Sequence, residues 1–183
     1  MVVKIMINNE FYTVRGYQLL EQNKNKLTSA MEDYLEMIYR NCLENGYIRI
    51  IQLADLLHVS AASTSRMVQK LGELGLINYK KYGIIILSDT GEKIGEYLLD
   101  RHHTIENFLK IIRCEDDLLQ QTELMEHNIN PHTLIEINIL TDFLVTNQNI
   151  SDELKKYQKD YSTKPINFKK DLYISTGKEE ATK

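Results

Sequence analysis

Two amphipathic helical segments lie only three or four residues apart in this chain, and that spacing constrains the fold more than any other feature. The first segment runs from about Ile51 to Leu57, and the second runs from about Ser60 to Leu74. The Ser60 hydroxyl is suited to cap the second helix, and Gly75 is suited to stop it. A connection this short joins two helices in the manner of a helix-turn-helix.

The second segment also has the composition of a helix that enters the major groove of DNA. Its first turns carry small side chains for close approach, hydroxyls for phosphates or base edges, and one guanidinium. After Gly75, the stretch LINYKKYGIIILS predicts a two-stranded wing whose basic tip lies against phosphates. An ordinary hairpin beside a helix pair is the alternative. The predicted DNA-binding residues are Ser60, Ala62, Ser63, Thr64, Ser65, Arg66, Lys70, Lys80, Lys81 and Tyr82.

The distribution of charge supports a nucleic-acid partner although the total charge does not. The formal net charge is −4. Between Arg49 and Lys81, however, five basic residues stand against two acidic ones, which gives this window +3 and leaves −7 for the rest of the chain. A basic segment in an acidic protein is consistent with a local DNA-binding surface.

Carboxylates and imidazoles recur at helical spacing outside this segment. One pair follows Ser29, whose hydroxyl is expected to cap the start of a helix. His102 flanks the apolar face of a long helix from Ser88 to about Ile112, and a third group has i, i+3 and i+4 spacing. Four carboxylates and two imidazoles on converging helices suit one or two divalent ions, with manganese or iron(II) favoured by the oxygen-rich set. A solvated acidic flank and a structural histidine are the ordinary alternatives. The residues are Asp33, Glu36, His102, Glu123, Glu126 and His127.

Five motifs occur in order between about Thr28 and Val145: SAMEDYLEMIY, RMVQKL, KKYGIIILSDTGEKIG, RHHTIENFLKII and ELMEHNI. With them the chain resembles the diphtheria-toxin-repressor family of metal-dependent transcriptional regulators, and within it the manganese transport regulator branch. The resemblance implies a homodimer that binds double-stranded operator DNA when metal is bound. It also implies that the six residues above are the ligands of a dinuclear site.

The resemblance bears on the choice of metal at two positions. The iron-responsive branch has a methionine in the first helix and a cysteine in the ELMEH-like motif, where this chain has Asp33 and Glu123. Hard carboxylates in place of soft sulfur favour manganese(II), with iron(II) still open. One ion or two per subunit also stays open.

The expected fold is mainly α, with an N-terminal winged helix-turn-helix followed by a helical metal-binding and dimerisation domain. The expected parts are 1–27, an extension with a hairpin and linker; 28–99, the DNA-binding domain; 100–148, the metal-binding and dimerisation helices; and 149–183, a polar helix and tail. Asn130 and Pro131 predict the start of a helix whose apolar residues suit a dimer seam or a core lid. Ser151 is expected to cap the polar helix.

The expected function is a cytoplasmic, manganese(II)-activated repressor of metal-uptake genes, with no enzymatic activity and neither a membrane nor a small organic substrate as partner. Cys42 and Cys114 lack metal-ligand spacing, and no segment approaches the ~20 apolar residues that span a bilayer. Two alternatives from other classes are a dinuclear metallohydrolase and a winged-helix regulator that senses an organic ligand.

Overall fold

Helices dominate the computed structural model, which describes residues 27–114 and 116–162, and the predicted mainly α fold is confirmed. The predicted N-terminal hairpin and the far end of the predicted tail lie outside these residues. The elements in chain order are α1 (Ser29–Asn45), β1 (Ile48–Arg49), α2 (Ile50–Leu56), α3 (Ala61–Glu73), β2 (Ile77–Lys80), β3 (Ile84–Leu87), α4 (Asp89–Ile111), α5 (Leu118–Glu126), α6 (Pro131–Thr146) and α7 (Gln148–Ser162).

The first helix starts one residue earlier than its sequence pattern predicted. Thr28 is the N-cap of α1 in an extended conformation, and its side chain accepts a hydrogen bond from the Met31 backbone N–H. Ser29, the expected cap, is instead the first helical residue. Gly46 ends the helix with φ 72°, in the left-handed region that glycine adopts without a steric penalty.

The helix-turn-helix consists of α2 and α3. Ser60 caps α3 as predicted, because its Oγ accepts a hydrogen bond from the Ser63 backbone N–H at 3.2 Å. Val68 and Leu71 lie on the buried face of α3 and anchor it to the core. This packing fixes the opposite face of α3 toward solvent.

The wing has three antiparallel strands in the order β1-β3-β2, where the sequence predicted two. The additional strand, β1, pairs Ile48 with Ile85 and Arg49 with Ile84. Two residues are too few for an alternating pattern to be visible in a sequence. At the tip, Tyr82 has φ 67° and Gly83 has φ 73°, which lets the chain reverse between β2 and β3.

Helix α4 packs closely on its neighbours because glycines occupy the contacts. A Cβ atom on Gly91 would lie 1.8 Å from the Leu76 carbonyl oxygen, and one on Gly95 would lie 2.6 Å from Tyr39 Cβ. The apolar face of α4, with Ile94 and Leu98, is fully buried in the core. This face therefore fixes which side chains α4 presents to α1 and α5.

The chain divides into two compact units, the first ending at Ile139 and the second beginning at Leu140. Within the second unit, α7 begins at Gln148, so Ser151 is not its cap as predicted. Ser151 Oγ instead donates to the Leu144 carbonyl at 2.7 Å.

The predicted start of α6 is confirmed, because Asn130 Oδ1 accepts from the Thr133 backbone N–H at 2.9 Å. No helix in the described ranges has both the length and the hydropathy needed to cross a membrane.

Candidate metal centre and nucleic-acid interface

Three helices bring the six predicted metal-binding residues together. They form two groups that share Glu126, and within each group the potential ligand atoms all lie within 4.8 Å of one another. The first group, here the outer group, is Asp33, Glu123, Glu126 and His127; the second, here the inner group, is Glu36, His102 and Glu126. Helix α1 supplies Asp33 and Glu36, α4 supplies His102, and the end of α5 supplies the rest.

The outer group is organised around the imidazole of His127. Its Nε2 lies 3.0 Å from Asp33 Oδ1 and 3.7 Å from Glu126 Oε1. The neighbouring carboxylates, Asp33 first and then Glu32, raise the pKa of His127 to about 10. Asp33 Oδ1 is buried, and among the described residues no group makes a hydrogen bond of good geometry to it, although the His127 ring lies close by. A buried carboxylate oxygen that lacks such a hydrogen bond is available as a ligand atom.

The inner group is buried on all sides. His102 Nδ1 lies 2.9 Å from Glu126 Oε2 and 4.0 Å from Glu36 Oε1. The hydrogen bond to Glu126 raises the pKa of His102 despite burial of the ring. Burial also raises the pKa of Glu36, although hydrogen bonds from Arg40 act in the opposite direction.

The electrostatics of both groups fit a bound cation. Burial raises the pKa of Glu123, and the negative charges of Glu126 and Asp33 raise it further. Carboxylates that destabilise each other in this way are stabilised by a divalent ion placed among them. An oxygen-rich set with one or two imidazoles matches the preference of manganese and iron(II) rather than that of thiolate-binding ions.

The sequence interpretation missed three charged residues that surround these groups. Glu32 Oε2 lies 2.9 Å from His127 Nδ1 and accepts a hydrogen bond from Arg101 Nη2, also at 2.9 Å. Arg101 is 4% exposed, and Arg40 forms an ion pair with Glu36. A signal was available, because Glu32 precedes Glu36 by one helical turn and Arg101 precedes His102 directly.

Burial opposes ionisation of Glu32, but the hydrogen bond from His127 and the positive charge of Arg101 outweigh it and lower the pKa of this carboxyl group. Glu32 is therefore a carboxylate near neutral pH, able to accept both hydrogen bonds. It lies beside the outer group and fixes the Nδ1 side of the His127 ring.

The predicted DNA-binding residues mostly lie on an exposed surface of α3 and the wing. Ser60, Ala62, Arg66 and Lys70 are exposed, and Ser63 and Ser65 are partly so. Thr64 is the exception, because it is fully buried and its Oγ1 donates to the Ser60 carbonyl at 3.2 Å. The expectation that Thr64 faces DNA is therefore wrong in this structure, since position 64 falls on the same helical face as Val68.

At the wing tip, Lys80 is exposed and Tyr82 is 87% exposed. Lys81 lies in the turn Lys81–Gly83 that joins β2 to β3. A basic residue and an exposed aromatic ring at the end of a hairpin can contact a phosphate backbone. The wing and the exposed face of α3 together form the candidate nucleic-acid interface.

Two family models match most of the chain. The N-terminal DNA-binding domain of the iron-dependent repressors matches residues 26–85. The metal-binding and dimerisation domain of the same repressors matches residues 88–155. The order and extent of the two matches follow the order of the candidate DNA interface and most of the candidate metal centre along the chain.

Named relatives and solved structures agree with these matches. The chain is 38% identical to the HTH-type transcriptional regulator MntR of Shouchella clausii, with 72% of this chain and 93% of the relative covered. It is 35% identical to MntR of Bacillus subtilis strain 168, with 72% and 94% covered. A structure of the manganese regulator SloR aligns with a TM-score of 0.57 and 27% identity, covering 64% of this chain and 55% of that one.

Proposed function

Because this chain belongs to the iron-dependent repressor family of metal-dependent transcriptional regulators, we propose that it is a manganese(II)-activated repressor of metal-uptake genes. The family assignment brings with it binding of DNA, binding of a divalent metal, and dimerisation. It also argues against the dinuclear metallohydrolase, because the family consists of regulators and not enzymes. We place its activity in the cytoplasm, where operator DNA is available.

The proposed manganese ligands are Asp33, Glu36, His102, Glu123, Glu126 and His127. The observation that carries this proposal is the sharing of buried Glu126 between two donor groups drawn from three helices. When bound, manganese would supply positive charge that offsets the repulsion among the carboxylates. Every proposed ligand is an oxygen or an imidazole nitrogen, which explains why manganese or iron(II) is expected rather than a thiolate-binding ion.

The proposed switch depends on which part of the chain carries each ligand. Asp33 and Glu36 belong to α1, inside the proposed DNA-binding domain of residues 28–99, whereas the α5 ligands belong to the proposed metal-binding domain of residues 100–148. Ligands on both parts hold them in one arrangement. In a homodimer, that arrangement sets the separation of two α3 helices, which must be near 34–36 Å to enter successive major grooves. Such a coupling is typically worth about 1–3 kcal/mol.

The proposed DNA contacts are the predicted residues other than Thr64. Arg66 is the strongest candidate for contact with a base or phosphate, because it is exposed on the face of α3 opposite Val68 and Leu71. Lys70, Lys80 and Lys81 are proposed to contact phosphates.

A titration tests this proposal. Metal-free protein is titrated with manganese(II), with iron(II) under anaerobic conditions and with zinc(II) as control, while binding to DNA selected from random sequences is followed. We expect DNA affinity to rise sharply with manganese and to saturate at one or two ions per subunit. Equal affinity in the presence of a chelator would contradict the proposal and favour the regulator that senses an organic ligand.

Two variants separate the metal function from the DNA function. Glu126→Ala removes the residue shared by both donor groups, so we expect manganese to lose its effect on DNA binding while the fold is kept. Arg66→Ala should weaken DNA binding about tenfold, the cost of one good side-chain contact to DNA, with manganese affinity unchanged. If Glu126→Ala still requires manganese to bind DNA tightly, the ligand assignment is wrong.

A further inference from the structure

Arg40 places a permanent positive charge beside one carboxylate oxygen of Glu36, a member of the inner group. Both its Nε and its Nη2 donate hydrogen bonds to Glu36 Oε1, the former at 2.9 Å. Glu36 lies one helical turn before Arg40 on α1, and its side chain is 8% exposed. The ion pair is therefore partly removed from water, where charge-assisted hydrogen bonds are stronger than on an open surface.

Among the residues that the structure describes, the outer group has no equivalent competitor. Within the described residues, no lysine or arginine forms an ion pair with Asp33, Glu123 or Glu126. The groups that do contact these carboxylates are two imidazoles: His127 Nε2 lies 3.0 Å from Asp33 Oδ1, and His102 Nδ1 lies 2.9 Å from Glu126 Oε2. Both imidazoles are themselves proposed ligands, whereas the guanidinium of Arg40 keeps its positive charge and cannot bind a metal ion.

From this difference we infer that Arg40 lowers the affinity of the inner group for metal, by competing with a second manganese ion for Glu36 and making the inner group the weaker of two sites. A second ion bound by Glu36 must either displace the two hydrogen bonds from the guanidinium or bind a carboxylate that is already paired with a positive charge. Either way its binding is less favourable than it would be beside a neutral side chain. The inference rests on the proposed function and refines it to ordered filling of two sites.

The test counts ions on the full-length protein. Manganese(II) is added to metal-free wild type and to Arg40→Met, free manganese is measured by electron paramagnetic resonance, and bound metal per subunit is obtained by difference. We expect wild type to bind one ion tightly and a second more weakly. In Arg40→Met the second dissociation constant should fall about tenfold, in line with the loss of one charge-assisted competitor, while the first changes by less than about twofold.

A second ion pair with the same spacing provides the control. Lys110 Nζ lies 2.9 Å from Glu106 Oε1 on α4, also at i and i+4, and Lys110→Met removes a cation without touching either donor group. This variant should keep both wild-type constants. Far-ultraviolet circular dichroism of the three proteins establishes that their helix content is equal.

The outcomes are distinct. If wild type fills two sites of equal affinity, or if Arg40→Met leaves the second constant unchanged, the role of Arg40 is refuted and the metal sensor remains. If wild type binds no manganese, the proposed function fails and the inference fails with it. If Lys110→Met lowers the second dissociation constant as much as Arg40→Met does, the effect comes from the overall charge of the protein, and a role specific to Arg40 is refuted.

Discussion

At the scale of single residues, the candidate metal centre depends on side chains that are themselves held by other side chains. His127 has one ring nitrogen toward Asp33 and the other toward Glu32, and Glu32 is in turn bound by buried Arg101. This arrangement orients the ring and selects Nε2 as the nitrogen that faces the outer group. A carboxylate that is hydrogen-bonded to a ligating histidine commonly raises the affinity of the site for metal.

Glu32→Gln tests this orientation. The amide keeps the size of the side chain but loses the negative charge that pairs with His127 and Arg101, so we expect manganese affinity of the outer group to fall about tenfold. Glu44→Gln, an exposed position on the same helix, is the matched control. Isothermal titration calorimetry measures both. An unchanged dissociation constant for Glu32→Gln would remove Glu32 from the metal centre.

Manganese binding should also release a proton from His127. The ordinary pKa of histidine, 6.5, is raised to about 10 in the metal-free protein, so the ring is protonated at pH 7.5. A metal ligand must be neutral at the binding nitrogen, and the proton therefore competes with manganese at every pH below about 10. We expect affinity to rise with pH and about one proton to be released per ion at the outer group. Calorimetry in buffers of different ionisation enthalpy counts that proton, which should be missing in His127→Ala.

At the scale of secondary structure, the position of α4 depends on two glycines at its contacts with neighbouring elements. Gly91 lies against the Leu76 carbonyl and Gly95 against the Tyr39 side chain. His102 lies about two turns after Gly95 and about three turns after Gly91 on α4. The glycine contacts therefore help to position His102 beside Glu36 and Glu126. The sequence motif containing these glycines thus has a packing reason that is separate from its helix propensity.

Gly91→Ala should destabilise the protein by about 3 kcal/mol, because its methyl group would collide with backbone atoms that cannot move independently. Gly72→Ala on α3 is the matched control. Its nearest atom, the Ile77 carbonyl oxygen, is 4.0 Å away, and alanine has the better helix propensity by up to ~1 kcal/mol. Urea unfolding of the metal-free variants measures the difference. Equal stability of the two would show that α4 can shift away from Leu76.

At the scale of the whole molecule, the protein must pair with a second copy before two α3 helices can reach adjacent major grooves. The family match includes a dimerisation domain. In the second compact unit, the α6 residues Leu140 and Phe143 are each 47% exposed. Neighbouring large apolar side chains that are left open to water on one helix are typical of a surface that is covered in an assembly.

Phe143→Glu should therefore weaken the homodimer and, through it, operator binding. A carboxylate in an apolar interface loses its hydration without gaining a partner, so we expect the dimer dissociation constant to rise at least about tenfold. Asn138→Glu introduces the same charge at an exposed polar position of the same helix and serves as control. Sedimentation velocity with and without manganese measures both. A stable Phe143→Glu dimer would place the interface elsewhere.

Local patterns in the sequence were sufficient for the helices, the Ser60 cap and the turn of the helix-turn-helix, because these follow from spacing along the chain. Spacing along single helices also indicated the metal-binding residues of each helix, and the family resemblance joined these residues into one site. Residue spacing does not reveal strands as short as β1 or the rotation of one helix against another. For that reason Thr64 was assigned to the DNA surface although its face of α3 packs inward beside Val68. The predicted domain boundaries remain predictions.

Only the tertiary structure decided how the charged residues are divided among partners. The sequence interpretation treated Glu32, Arg40 and Arg101 as ordinary helix charges, since a solvated ion pair and a buried one have the same spacing. In the packed structure of α1, α4 and α5, Glu126 belongs to both donor groups, Glu32 pairs with His127, and Arg40 pairs with Glu36. Sequence thus determined which chemistry the chain can perform, while burial determined which charges compete, because desolvation makes the choice of partner energetically significant.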